Sequence, residues 1–114
     1  MQARNDFCGN GTGMQHVTHR CHNRDFLLRF ERDRRNYVSR LRETSGRFAV
    51  EVLDYTITSN HVHLLLWTPS LDDLSAAMLF LQGVSARDYN RRKARQGAYW
   101  SDRYSGVPGA ERRV

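Results

Sequence analysis

The sequence predicts an α+β domain built on one antiparallel sheet with helices packed on one of its faces. Three observations carry this. Short stretches rich in β-branched and aromatic residues alternate with longer stretches of helical periodicity, in the order strand, helix, strand, strand, helix. Only Ser59 and Asn60 divide the two adjacent strands, which suits a tight antiparallel hairpin. The 114 residues suit one domain with one core.

Residues 1–14 place Gly9, Gly11 and Gly13 among polar residues and read as a flexible lead-in. The domain is expected over 15–104, followed by a tail over 105–114. "QHVTHRCHNR", residues 15–24, reads as the first strand, on Val17 and Thr18. Tyr37, Val38 and Leu41 predict a helix from about Asp33 to Glu43, with Asp33 as N-cap or first-turn acid and Gly46 near its end. "RFAVEVLDYTIT" and "NHVHLLLWT" read as paired strands, and Pro69 ends the second. Ser70 or Asp72 can cap the next helix, whose core face is Leu74, Ala77, Met78, Leu81, Val84 and Ser85, with Gly97 to close it. Residues 105–114 show no periodicity. This order, short of a final strand, suggests a split β-α-β sheet of ferredoxin type.

Composition narrows the function. Hydrophobic content of 39% and aromatic content of 11% are globular values. Eighteen Lys and Arg against twelve Asp and Glu give +6, and all but Lys93 of the cations are arginine. Guanidinium groups fork onto phosphate and stack on bases, so a polyanion is the expected partner. Cys8 and Cys21 make no disulfide framework, and no signal peptide is evident. The longest apolar run, Val62 to Trp67 broken by His63, is far short of the ~20 residues that span a bilayer. A reduced cytoplasmic protein with no membrane association is expected.

The stretch "SNHVHLLLW" carries the chemistry. In a strand, residues two apart share a face, so His61 and His63 project together with Leu65 and Trp67, while Val62, Leu64 and Leu66 face the helices. Two neighbouring imidazoles fill a core poorly but form half of a divalent-metal site. Arg87, Arg91, Arg92, Lys93 and Arg95 at the end of the second helix, with Tyr99, Trp100 and Tyr104 beyond, resemble a basic groove with stacking rings for single-stranded nucleic acid; Trp100 also reads as core. His16, His19 and His22 are spaced by three and alternate between strand faces, so a joint zinc site, with Cys8 or Cys21, is not expected.

"HVTHRCHNR", "DRRNYVSRL", "YTITSNHVHLLLW" and "YNRRKARQGAYWSDRY" resemble successive blocks of the IS200-like transposases, in the branch associated with repetitive extragenic palindromes. The resemblance runs from about His16 to Tyr104. It implies a ferredoxin-like sheet, Mg2+ or Mn2+ held by His61 and His63, and single-stranded or hairpin DNA as substrate. It also implies phosphodiester cleavage and joining in DNA transposition through a tyrosine on a late helix. Arg20, Arg87, Arg91, Arg92, Lys93, Arg95, Trp100, Arg103 and Tyr104 become candidate DNA contacts. The family's tyrosine lies beyond the Trp-x-x-Arg-Tyr block, where the resemblance stops. The final strand and the tyrosine-bearing helix are therefore expected to be missing. No catalytic residue is assigned, with Tyr89 and Tyr104 as weak candidates, Tyr37 core-facing and Tyr55 packed. On this reading the chain is an inactive remnant on its own, with a homodimer as one possible state. The alternatives are a nucleic-acid-binding module or repressor with a vestigial histidine pair, and a metal protein that does not act on nucleic acid.

Overall fold

The computed structural model describes residues 13–100 and 105–108, and in it the predicted hairpin forms half of a sheet. The elements are β1 (Gly13–Arg20), a 3-10 turn (His22–Arg24), α1 (Glu31–Arg47), β2 (Glu51–Ile57), β3 (His61–Thr68), α2 (Leu71–Arg92) and β4 (Ser105–Pro108). The strand order is β2-β3-β1-β4 and every pairing is antiparallel. That is the split β-α-β order the sequence suggests.

The final strand, expected to be missing, is present. Ser105–Pro108 pairs with Gln15 to Thr18 of β1, so 105–108 is not tail. Gly106 and Pro108 conceal it from a propensity reading, and Pro is tolerated because the strand lies at the sheet edge. Other boundaries also move. Gly13 and Met14 belong to β1, paired with Thr68 and Trp67. That strand stops at Arg20, since Asn23 adopts a left-handed φ of 55° in the turn that follows. Helix α1 starts two residues before Asp33 and runs through Gly46, where the Phe48 N–H still reaches the Thr44 carbonyl at 3.0 Å.

Helix α2 buries the six residues its periodicity names, and Ser70 caps it by accepting the Asp73 N–H at 3.1 Å. Its end differs from expectation. Helix geometry stops at Arg92, and Ala94 rather than Gly97 takes the first left-handed position, with φ of 53°. The Arg95 N–H bonds back to the Asn90 carbonyl at 2.8 Å and the Ala94 N–H to the Arg91 carbonyl at 3.4 Å, a Schellman closure.

Both helices cover one face of the sheet. Val17, Val62, Leu64 and Leu66 meet Tyr37 and Leu41 of α1 and Leu74, Ala77, Met78 and Leu81 of α2 in one core, sealed at one end by Tyr99 and Trp100. Strand β3 alternates strictly, with Val62, Leu64, Leu66 and Thr68 buried and the residues between them turned to the other face. No helix among the described residues is long and apolar enough to cross a membrane.

Candidate metal centre and nucleic-acid interface

The alternation of β3 fixes the site. His61 and His63 stand on the face away from the helices, their rings nearly parallel at 9° with centroids 5.8 Å apart. The hairpin turn is anchored by its backbone: the Cys21 N–H donates to the Asn60 carbonyl and the Leu28 N–H to the Ser59 carbonyl, each at 2.9 Å. Asn60 is thereby placed so that its Oδ1 lies 3.0 Å from His61 Nδ1. Thr18, directly across from His63 in the β1–β3 register, brings its Oγ1 within 3.4 Å of His63 Nδ1. A proton on Nδ1 of either ring, donated to these oxygens, leaves the lone pair on Nε2. That outer-shell arrangement is the one metal-bound histidines use.

The register adds residues that sequence spacing does not show. Arg20 pairs with His61 across β1 and β3. His16 pairs with Leu65 and stacks on His63 at 5.7 Å, so three imidazoles form a row. Its pKa is lowered, first by burial and then by His63, which favours the neutral ring. On the other side of β3, an irregularity between Val52 and Asp54 shifts the register. Asp54 and Thr56 therefore pair with Leu65 and His63. With His16, Tyr55, His63, Leu64 and Leu65 they line a small pocket of about 100 Å³.

The donor set fits part of a divalent-metal shell. Among the described residues no group of three or more His, Cys, Asp or Glu side chains stands close enough to hold a metal. The two imidazoles would share such an ion with water, phosphate oxygens or further ligands. His16 lies on the open face while His19 is buried beneath the sheet, so the spacing-by-three histidines do not converge. Burial pushes the Cys21 thiol up to about 11, which makes it a poor nucleophile. Cys8 lies outside the described residues.

The basic cluster is redistributed. Arg92 donates to buried Asp33 at 2.6 Å, and Lys93 lies 3.8 Å from the same carboxylate. Arg95 donates to Asn90 Oδ1 at 2.6 Å and the Ala98 carbonyl at 2.8 Å, stitching the end of α2. Arg87 and Arg91 are exposed on α2. Trp100 is buried, with Nε1 donating to Ser85 Oγ and the Gln82 carbonyl, both at 3.2 Å. It is a core ring and not a stacking platform. The exposed aromatic on the histidine face is Trp67, two pairs beyond His63 on β3.

Tyr37 and Tyr99 are buried under the sheet, and Tyr89 on α2 packs against Tyr99 with ring centroids 5.0 Å apart. Burial raises the pKa of all three. Tyr55, expected to be packed, is 44% exposed on the edge strand. Arg103 and Tyr104 lie outside the described residues.

The family described as "Transposase IS200 like" matches residues 12–109. Two solved structures share the fold. A REP-associated tyrosine transposase bound to a REP hairpin aligns with a TM-score of 0.67 at 14% identity, covering 98% of this chain and 64% of that one. A crystal structure of a candidate transposase from Deinococcus radiodurans R1 aligns with a TM-score of 0.72 at 18% identity, covering 97% of this chain and 88% of that one. The chain thus spans under two thirds of the hairpin-bound relative. No curated protein matches the sequence significantly.

Proposed function

The chain belongs to the IS200-like transposases, and from that premise we propose that it serves DNA transposition by binding single-stranded or hairpin DNA at a histidine-based metal site. The observation that carries this reading is the placement of His61 and His63. They point together from a central strand onto the face away from the helices, with Asn60 and Thr18 orienting both rings. His61 and His63 would hold Mg2+ or Mn2+, whose chemistry there is Lewis-acid activation of a phosphoryl oxygen.

The protein's own residues do the rest. Arg20, across from His61, offers a guanidinium to the same phosphate. His16 and Thr18 hold His63 in place, and Trp67 offers a face to a base. Arg87 and Arg91 extend positive charge, and Arg103 and Tyr104 remain candidate contacts. Cleavage and joining need a tyrosine oxygen at the phosphate. Tyr37, Tyr89 and Tyr99 are on the helix side of the sheet, and exposed Tyr55, paired with Leu64, is on that same face of the edge strand, so on this reading the described part of the chain binds DNA without nicking it. A tyrosine supplied from outside the described residues would complete the reaction.

One assay tests this. Labelled hairpin DNA with a single-stranded flank is incubated with the chain and Mn²⁺, then resolved on native and denaturing gels. Binding without a covalent adduct is expected. An adduct overturns the inactivity of the isolated chain, and no binding overturns the reading as a whole. A binding module with a vestigial pair is the second reading, since among the described residues no third His, Cys, Asp or Glu completes a metal site with the two imidazoles. It prevails if replacing both His61 and His63 by Ala leaves Mn²⁺-dependent affinity and thermal stability unchanged.

A further inference from the structure

We infer that the groove between α1 and the edge strand β2 is a second phosphate-backbone site, holding the nucleic acid that flanks the strand bound at His61 and His63; this rests on the nucleic-acid reading above. The groove encloses about 1040 Å³ and is lined by Arg32, Arg34, Arg35 and Arg42 of α1 and by Tyr55 of β2. None of these four arginines belongs to the basic cluster at the end of α2, from which Arg92 also lines the groove.

The ion pairs of the two helices locate the free cations. Glu31 neutralises Arg35 at 3.1 Å. Arg34 donates to the Leu28 and Arg29 carbonyls at 2.9 and 2.8 Å, which uses hydrogen bonds but leaves its charge uncompensated. Arg32 and Arg42 are exposed, and among the described residues their side chains make no ion pair or hydrogen bond. On α2 the situation is reversed, with Arg92, Lys93 and Arg95 engaged by the protein itself. Arg87 and Arg91 stay exposed on α2, and within the groove the guanidinium groups left over for an external anion are those of Arg32 and Arg42 on α1.

Their spacing suits a polyanion. Residues 32, 35, 39 and 42 follow one another at helical intervals along a single stripe, with Ser39 adding a hydroxyl. At 1.5 Å per residue the stripe is about 15 Å long, roughly four base-pair steps of duplex. A compact anion would occupy a fraction of it, whereas a nucleic-acid backbone would follow it.

The groove also meets the histidine site. Tyr55 lines the groove and also the small pocket that contains His63. Its neighbour Thr56 turns to the histidine face, paired with His63. Edge strand β2 separates the two sites, with the histidines on one face of the sheet and the groove on the other. A strand leaving the histidines can cross β2 at Tyr55 and continue into the arginine groove.

The test uses the full chain and its Arg32→Ala/Arg42→Ala variant, with Arg47→Ala as a control for reduced surface charge. Both sets alter exposed side chains, and circular dichroism confirms that they fold. Anisotropy titrations with labelled hairpin DNA bearing a single-stranded flank are run across a NaCl series. The double variant is expected to bind on the order of tenfold more weakly at 0.1 M salt. Its log–log salt slope is expected to be shallower by about 1.4–1.8, because two phosphates are no longer neutralised by the protein. Arg47→Ala is expected to match the parent. Equal affinity and slope for parent and double variant overturn the groove while leaving the histidine-face reading intact, as does an equal weakening in Arg47→Ala. Failure of the parent to bind DNA overturns both. Binding to phosphatidylserine vesicles that exceeds DNA binding and disappears in the double variant reassigns the groove to a lipid surface and overturns the proposal.

Discussion

Arg92 near the end of α2 reaches across to Asp33 in the first turn of α1, closing to 2.6 Å on a carboxylate buried to 3% exposure. The pair ties the two helices together. Removing one partner of a buried ion pair strands the other charge, which costs far more than the pair contributes. Arg92→Ala is expected to lower stability by about 2–4 kcal/mol, with Lys93 at 3.8 Å recovering part of the loss. Arg91→Ala, on the exposed side, should change stability by under about 0.5 kcal/mol. Urea denaturation of the two variants decides the matter. Equal midpoints would show that Asp33 is not held by Arg92.

This pair also marks what sequence could and could not reveal. The alternation of β3 and the stripe of α2 are local patterns, and burial follows both position by position. His61 and His63 were legible for the same reason, since their common face depends only on strand geometry. His16 was not, because it meets His63 only through the β1–β3 register, 47 residues apart in sequence. Asp54 reaches that face through a register shift that no composition announces. The role of Arg92 depends on a partner 59 residues away. Charge density along α2 therefore overstated what that helix offers to a ligand. The final strand was hidden because four residues with Gly and Pro gain their order from the edge of β1.

His19 is fully enclosed, its ring 4.8 Å from Trp100 and 6.0 Å from Tyr37, and among the described residues neither ring nitrogen has a hydrogen-bond partner. Burial lowers its pKa to about 3 from an ordinary 6.5. Between those values the unfolded chain is protonated and the folded chain is not. Stability is complete above pH 6.5 and falls as the pH drops toward 3, at up to about 1.4 kcal/mol per pH unit. Asp88, whose carboxylate is stabilised chiefly by its hydrogen bond from Arg40, adds acid sensitivity only below the ordinary carboxylate range. His19→Phe is expected to flatten the profile between pH 6 and 4.5 and to leave stability at pH 7 unchanged or higher, since two unpartnered nitrogens disappear. Thermal melts across that range test it, and parallel profiles for parent and variant would exclude His19 as the source.

Asn60 precedes His61 and meets its Nδ1 at 3.0 Å. If His61 binds a metal through Nε2, the amide is the group that orients the ring. Removing such an outer-shell partner typically costs 10–100-fold in metal affinity. Asn60→Ala is expected to weaken Mn²⁺ binding within that range while shifting stability only slightly, because the backbone carbonyl that holds Cys21 is retained. Calorimetric titration reads the affinity directly. An unchanged Mn²⁺ affinity would mean that the side chain does not set the ring.

Ala94 occupies the left-handed position that ends α2, with φ of 53°. The helix needs that conformation there, since it allows the Arg95 N–H to reach the Asn90 carbonyl and turns the chain toward Tyr99 and Trp100. From there the Tyr99 carbonyl accepts the His22 N–H at 2.8 Å and Trp100 bridges to Cys21, so the turn aims a segment that closes the core. A β-carbon is disfavoured at positive φ, while glycine adopts it without penalty. Ala94→Gly is expected to raise stability by about 0.5–1 kcal/mol, a few degrees in Tm. Ala94→Val should lower it by a similar or larger amount, since branching at Cβ worsens the clash. Gly97, with φ of 99°, should resist substitution by alanine for the same reason. If Ala94→Gly instead lowers Tm, the left-handed turn is not what terminates the helix, and the end of α2 owes its position to the Arg95 and Asn90 contacts alone.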